Sequence, residues 1–177
     1  TLKKQKAGSV GTAMYDYELK IVDEDMNELP RGGIGDIIVK GDNVMLGYYN
    51  RDEATQETIV NGWLLTGDLG YMDDEGFIFI VDRRKDLIIS KGINIYPREI
   101  EEVIDGFSGV KASAVVGVFD EESGEIPIVY IELEEGHENF DESNLKKYMR
   151  EHLANYKIPK QTHIIEELPK NATGKVL

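Results

Sequence analysis

Apolar residues in this chain follow two different periods, and the change falls near the charged run Asp82-Arg83-Arg84-Lys85-Asp86. Before that run, short apolar stretches lie between turn residues, as half-buried strands do. Tyr15 to Val22 alternates loosely ahead of a polar turn, Asp23 to Asn27. Ile37-Ile38-Val39, Val44-Met45-Leu46, Trp63-Leu64-Leu65 and the run Phe77 to Val81 predict further strands, and Asp52 to Val60 predicts one short helix. Asp73-Asp74-Glu75-Gly76 has the composition of a hairpin turn. After the charged run, Ile100, Val103, Ile104 and Phe107 recur at helical spacing, with Pro97 placed to start the helix. Leu145, Tyr148, Met149 and Leu153 form a second stripe, with Asp141 as its N-cap. Ala114 to Phe119, Ile126 to Leu133 and Ile164-Ile165 predict strands between and after these helices. The pattern predicts an α+β chain in two parts. A β-rich domain spans 1–81, and a second, α/β domain spans 82–177, with the boundary at the charged run.

Composition narrows the function classes. The chain has 177 residues, 41% of them hydrophobic, which is enough for a packed core. With 34 acidic and 20 basic residues its formal charge is −14. A sequence-independent nucleic-acid binder needs a basic face, so no nucleic-acid partner is expected. A locally basic pocket for an anionic substrate stays possible under that charge. There is no cysteine, which excludes disulfides, thiolate metal sites and a cysteine nucleophile, and fits a reducing, cytoplasmic setting. No apolar run approaches the roughly 20 residues that span a bilayer. Thr1 at the start and Lys175-Val176-Leu177 at the end both read as cuts within a longer protein.

Four segments carry candidate chemistry. Gly35-Asp36-Ile37-Ile38-Val39-Lys40-Gly41 runs on to Gly47-Tyr48-Tyr49-Asn50. In Trp63 to Gly70, Asp68 follows Thr66-Gly67 after an apolar run. A carboxylate there can accept hydrogen bonds from sugar hydroxyls, or it can close an Asx-turn on its own backbone. The run Asp82 to Asp86 sets three cations between two carboxylates. Arg83 can clamp phosphate or ribose oxygens in a fixed fork, or the run is a solvated loop. Beyond it, Ser90-Lys91-Gly92 leads through Asn94-Ile95-Tyr96-Pro97 to Glu99. The fourth segment is Leu168-Pro169-Lys170-Asn171-Ala172-Thr173-Gly174-Lys175. Gly92 and Gly174 read equally as turn glycines. Lys175 is either an exposed tail lysine or a cation that reaches a developing negative charge.

Taken in this order, the segments resemble the adenylate-forming superfamily of acyl-CoA and aryl-CoA synthetases, peptide-synthetase adenylation domains and luciferases. The resemblance runs from about Gly8 to Leu177. It rests on Gly-Trp-Leu-x-Thr-Gly-Asp at 62–68, Asp-Arg-x-Lys-Asp at 82–86 and Pro-x-x-x-x-Gly-Lys at 169–175. It implies the last β-rich subdomain of a large adenylating domain, followed by a small mobile C-terminal domain. Asp68 and Arg83 are then expected to hold the ribose of ATP and of the adenylate. Lys85 is the expected hinge, in a hinge run at 82–86 whose small apolar surface suits that role. Gly92 would lie where the pantetheine arm of coenzyme A passes, its missing side chain making room. Lys175 would contact the carboxylate and the nucleotide during adenylation.

The implied reaction has two steps. A carboxylate attacks the α-phosphorus of Mg2+-bound ATP, giving acyl-adenylate and pyrophosphate. Coenzyme A thiolate then attacks the acyl carbon and AMP leaves. The small domain turns about Lys85 between the steps, withdrawing Lys175 and bringing up the Gly92 segment. An exposed Lys175 would also be open to silencing by acetylation. The family's phosphate loop, its aromatic-Gly-x-Thr-Glu segment and its acyl pocket have no counterpart in this chain, so the fragment alone is expected to be inactive. Ile89 stands where some relatives carry a lysine linked to the second step, and that role does not transfer to Lys91. The run Ile88 to Pro97 resembles fatty-acyl-CoA ligases most, so a fatty acid is the expected acid. Aryl or other small-carboxylate CoA ligases and amino-acid adenylation domains are the alternatives. A non-catalytic protein-binding module and an acidic structural domain are the readings from other classes.

Overall fold

A computed structural model describes residues 5–137 and 140–176. They divide into two compact units, one ending at Lys85 and the other beginning at Asp86.

The first unit contains β1 (Glu18–Val22), β2 (Gly35–Lys40), α1 (Asp52–Thr58), β3 (Ile59–Val60), β4 (Trp63–Met72) and β5 (Ile78–Arg83). These strands form one antiparallel sheet built on β4. One edge of β4 pairs with β2, and the other pairs first with β3 and then with β5. Ile21, Ile37 and Ile78 fill the core beneath it, joined by Leu19, Leu29, Met72 and Ile80. Asp73 closes the β4–β5 turn by accepting the N–H groups of Glu75 and Phe77 at 2.9 Å, which is the Asx chemistry its sequence predicts. The expected strand at Val44-Met45-Leu46 does not form, and Leu46 is fully exposed. β2 ends at Lys40, and the next residue, Gly41, lies against the Tyr17 ring, where a Cβ would clash. β5 carries the unit beyond Val81, the expected boundary, because Asp82 and Arg83 still pair with Leu69 and Asp68.

The second unit contains β6 (Ile88–Ser90), β7 (Ile93–Ile95), α2 (Pro97–Asp105), β8 (Val110–Asp120), β9 (Gly124–Leu133), α3 (Glu142–His152) and β10 (Gln161–Ile165). β9 is its central strand. It pairs antiparallel with β8 along its length, parallel with β10 over its second half, and with β6 at its first residue. Both helical stripes turn inward. Ile100, Ile104, Leu145 and Met149 are fully buried against Val115, Val129 and Ile131. Burying each such side chain contributes about 1.5–3 kcal/mol. Pro97 opens α2, and the Asp141 carboxylate caps α3 by accepting from the N–H groups of Ser143 and Asn144. Val129 and Ile131 face the helices, so alternation along β9 sends Glu132 to the opposite face.

Candidate functional site

Asp68 sits in a bulge inside β4. Between the pairs Asp36–Leu69 and Ile38–Leu65, one residue of β2 opposes three of β4. Such bulges re-aim side chains and recur beside active sites. Gly67 allows it with φ of +79°, where a Cβ would be strained. The Thr66 hydroxyl donates to the Ile37 carbonyl at 2.8 Å and accepts the Asp68 N–H at 3.2 Å. Thr66, not the Asp68 carboxylate, therefore closes the local turn. Across the strands Asp68 faces Arg83, with Arg83 Nε 3.8 Å from Asp68 Oδ1. Among the described residues no hydrogen bond ends on the Asp68 carboxylate, and its side chain is 32% exposed. Its lone pairs are thus open to a hydroxyl donor, beside a guanidinium.

Arg84, Lys85 and Asp86 form a 3₁₀ turn, of which Arg84 and Lys85 end the first unit and Asp86 begins the second. Arg84 is tied back into that unit, 2.9 Å from Asp36 and 3.4 Å from Glu24. Burial pushes the Asp36 carboxyl up from its ordinary value, against the pull of Arg84. Lys85, the next residue, is exposed. A cleft of about 320 Å³ beside the bulge is lined by Asp23, Glu24, Asp36, Glu57, Gly67 and Arg84. Four acids against one arginine make it a poor receptor for a triphosphate.

Gly92 lies at the tip of the β6–β7 hairpin. Lys91 and Gly92 have φ of +51° and +75°, the left-handed pair that a two-residue type I′ turn requires. The hairpin is fastened to the start of β9. Ser90 pairs with Gly124, the Lys91 N–H donates to the Ser123 carbonyl at 2.7 Å, and the Ile89 N–H donates to Glu125 Oε2 at 2.8 Å. A Cβ at Gly92 would meet nothing within 4 Å, so the tip is open.

Lys175 lies in a short turn that the chain closes on itself. Asn171 Oδ1 accepts the N–H groups of Thr173 and Lys175 at 3.0 Å. The Asn171 N–H donates to the Lys175 carbonyl at 2.8 Å, and Lys170 bridges Val176. The backbone of Lys175 is thus bonded on both sides while its side chain stays exposed. The base of the turn is fixed to the far end of β9. Glu132, 2% exposed, accepts the Leu168 N–H at 3.0 Å, Lys111 Nζ at 2.6 Å and Lys170 Nζ at 3.4 Å. The Lys111 ammonium first, then the Leu168 N–H, hold the Glu132 carboxyl down at about 2.

The structure brings Asp68 and Arg83 together in the first unit and places Gly92 and Lys175 in the second. Within the second unit the Gly92 and Lys175 segments are fastened at opposite ends of β9. Sequence reasoning missed the fasteners Glu125, Glu132 and Asn171, and the Arg84–Asp36 pair. Glu132 did leave a signal, a lone acid inside the apolar run Ile126 to Leu133. Its partners are 21 to 38 residues away and carry no pattern.

Residues 1–49 match the family model of the AMP-binding enzyme, and residues 99–175 match that of the AMP-binding enzyme C-terminal domain. The chain is 46% identical over 171 residues to the 2-succinylbenzoate–CoA ligase of Listeria monocytogenes serotype 4b (strain F2365), covering 97% of this chain and 34% of that protein. Among solved structures, the o-succinylbenzoate CoA synthetase MenE of Bacillus subtilis, in complex with its acyl-adenylate intermediate, superposes with a TM-score of 0.89 at 42% identity. That match covers 97% of this chain and 34% of MenE. ATP-bound MatB from Rhodopseudomonas palustris superposes with a TM-score of 0.89 at 40% identity, covering 96% of this chain and 34% of MatB. The chain thus spans about a third of the length of the relatives it matches. Two of these three are named for succinylbenzoate and none for a fatty acid, which turns the evidence from the fatty-acid expectation to its aryl alternative. That expectation leaned on the run Ile88 to Pro97, which forms a hairpin with Ile89 and Ile93 exposed and the start of α2, and carries no acyl pocket. The chain matches AMP-binding enzymes over their C-terminal portion and belongs to the AMP-binding enzyme family.

Proposed function

We propose that this chain is the C-terminal third of an AMP-forming acid–CoA ligase, with 2-succinylbenzoate or a closely similar aryl acid as the acid it activates. The observation that carries the two-step reading is the anchoring of the Gly92 and Lys175 segments at opposite ends of one strand. Their anchors, Gly124 and Glu132, stand eight residues apart on one strand. At ~3.3 Å per residue that is about 25 Å. Two segments so placed on one unit serve a single reaction centre by turns, not together. This supports a lysine that acts in adenylation and a glycine tip that acts in thiol transfer. The choice of acid rests on the 46% identity to ligases named for 2-succinylbenzoate.

In this reading Asp68 accepts hydrogen bonds from the vicinal hydroxyls of the ribose, and Arg83 donates to the same sugar. The open Asp68 carboxylate beside a guanidinium fits that task. Mg2+ arrives with ATP as substrate, and among the described residues no group of three or more His, Cys or acidic side chains could hold a metal ion. In the first step a carboxylate oxygen bonds to the α-phosphorus and the bond to pyrophosphate breaks. Lys175 offsets the negative charge that gathers there. In the second step the thiolate of coenzyme A bonds to the acyl carbon, the acyl–phosphate bond breaks and AMP leaves. The side of Gly92 left open gives the pantetheine arm passage. Lys85, exposed at the end of the first unit and next to the tied Arg84, is where the chain would turn between the steps.

ATP–pyrophosphate exchange by the full-length enzyme, across a panel of acids, tests the substrate. Exchange with 2-succinylbenzoate and little with fatty or amino acids is expected. Exchange confined to fatty or amino acids would overturn the aryl reading, and none with any acid would favour a non-catalytic module.

A further inference from the structure

We propose that Glu132 and Asn171 are positioning residues for Lys175, forming a clamp that holds the lysine at a fixed place on the second unit. The proposal rests on the reading of Lys175 as the adenylation lysine. Every link in the clamp is a hydrogen bond. The buried Glu132 carboxylate takes the Leu168 N–H and the Lys170 ammonium, which fixes the base from which the turn departs. Lys170 then bridges Val176, so the turn returns to where it left. Inside the turn, Asn171 bonds the N–H and the carbonyl of Lys175 itself. Leu168, buried beside Glu132, gives the segment an apolar foothold as well.

The arrangement costs more than a free tail would require. A carboxylate is buried in the second unit with two lysines converging on it, and without both of them it would be a buried, unpaired charge. A lysine that must meet a developing charge gains from the arrangement, because misplacement by about 1 Å can lower a rate on the order of 100-fold.

The test uses the full-length enzyme. Lys175→Ala, Glu132→Ala, Glu132→Gln and Asn171→Ala are each assayed for ATP–pyrophosphate exchange with 2-succinylbenzoate. Each is also assayed for thioester formation from supplied acyl-adenylate. Glu132→Ala and Asn171→Ala are expected to lower the exchange kcat on the order of 10- to 100-fold, with KM for ATP and acid unchanged and thioester formation kept. Glu132→Gln, which retains an acceptor for the Leu168 N–H, should recover part of the loss. Adding Asn171→Ala to Lys175→Ala should reduce exchange no further. Amide exchange across 168–176 should rise in Glu132→Ala. If Glu132→Ala fails to fold, Asn171→Ala carries the test, because Asn171 is exposed. Full exchange in Asn171→Ala and in any folded Glu132 variant, with exchange lost in Lys175→Ala, would overturn the clamp and leave the lysine's role standing. Full exchange in Lys175→Ala would overturn the reading beneath it.

Discussion

Glu125 and Glu132 stand near opposite ends of β9, and each carboxylate accepts a main-chain N–H from a different segment. Ile89 donates to Glu125 at 2.8 Å, and Leu168 donates to Glu132 at 3.0 Å. The first bond holds the hairpin that carries Gly92, and the second holds the turn that carries Lys175. One strand therefore sets the spacing of two segments assigned to different chemical steps.

Glu125→Ala should affect the step that Glu132→Ala spares. Losing the Ile89 bond frees one side of the hairpin, so thioester formation from supplied acyl-adenylate should slow by about 10-fold while pyrophosphate exchange holds. Equal losses in both half-reactions would contradict the assignment of this hairpin to the second step.

Acid should reach the Glu132 clamp late. Its carboxyl is held down to about 2 in the folded chain, against an ordinary value of 4.5. A depressed carboxyl adds stability that is complete above the ordinary value and is lost as pH falls toward the depressed one. Urea midpoints of the native chain should therefore fall between about pH 4.5 and 2, and the gap to Glu132→Gln should close over that window. A gap that stays constant with pH would contradict this ionisation.

Gly70→Ala should destabilise the first unit. A Cβ there would lie 2.4 Å from the Phe79 carbonyl oxygen and 2.8 Å from the Ile37 side chain, so β4 and β5 would have to part. Overpacking of this kind costs about 1–3 kcal/mol, measurable as a lower denaturant midpoint. A midpoint matching the native chain would show that the sheet yields freely at this point.

Lys85→Pro should impair thioester formation more than adenylation. Proline fixes its own φ and disfavours the helical region for Arg84, which is bonded to Asp36 within the 3₁₀ turn. Unchanged thioester formation in single-turnover assays would remove Lys85 from the turning point.

Much of the fold was legible because burial leaves a period. Ile100 and Ile104, and Leu145 and Met149, could be assigned to inward faces by spacing alone, and all four are fully buried. Asp141 and the turn at Asp73 announced themselves through side chains that bond their own neighbourhood. What stayed hidden depends on partners distant in sequence. The β6–β7 hairpin has strands of three residues and a Lys-Gly turn, too short for a period and without the usual Asn-Gly signal. Val44-Met45-Leu46 had strand composition but no edge to pair with once the chain left the sheet at Gly41. For the site, motif order pointed to Asp68 and Arg83, which do face each other. Glu125 and Glu132 read as ordinary acids until β9 brought Ile89 and Leu168 to them.

The most direct test of the account is the division of labour at Lys175, measured by assaying Lys175→Ala separately for each half-reaction in the full-length enzyme. Adenylation, read by pyrophosphate exchange, should fall on the order of 100- to 1000-fold, the usual loss of a charge-stabilising group. Thioester formation from supplied acyl-adenylate should remain near the native rate. Equal losses in both steps, or native exchange in the variant, would contradict a lysine that serves one step and a glycine tip that serves the other.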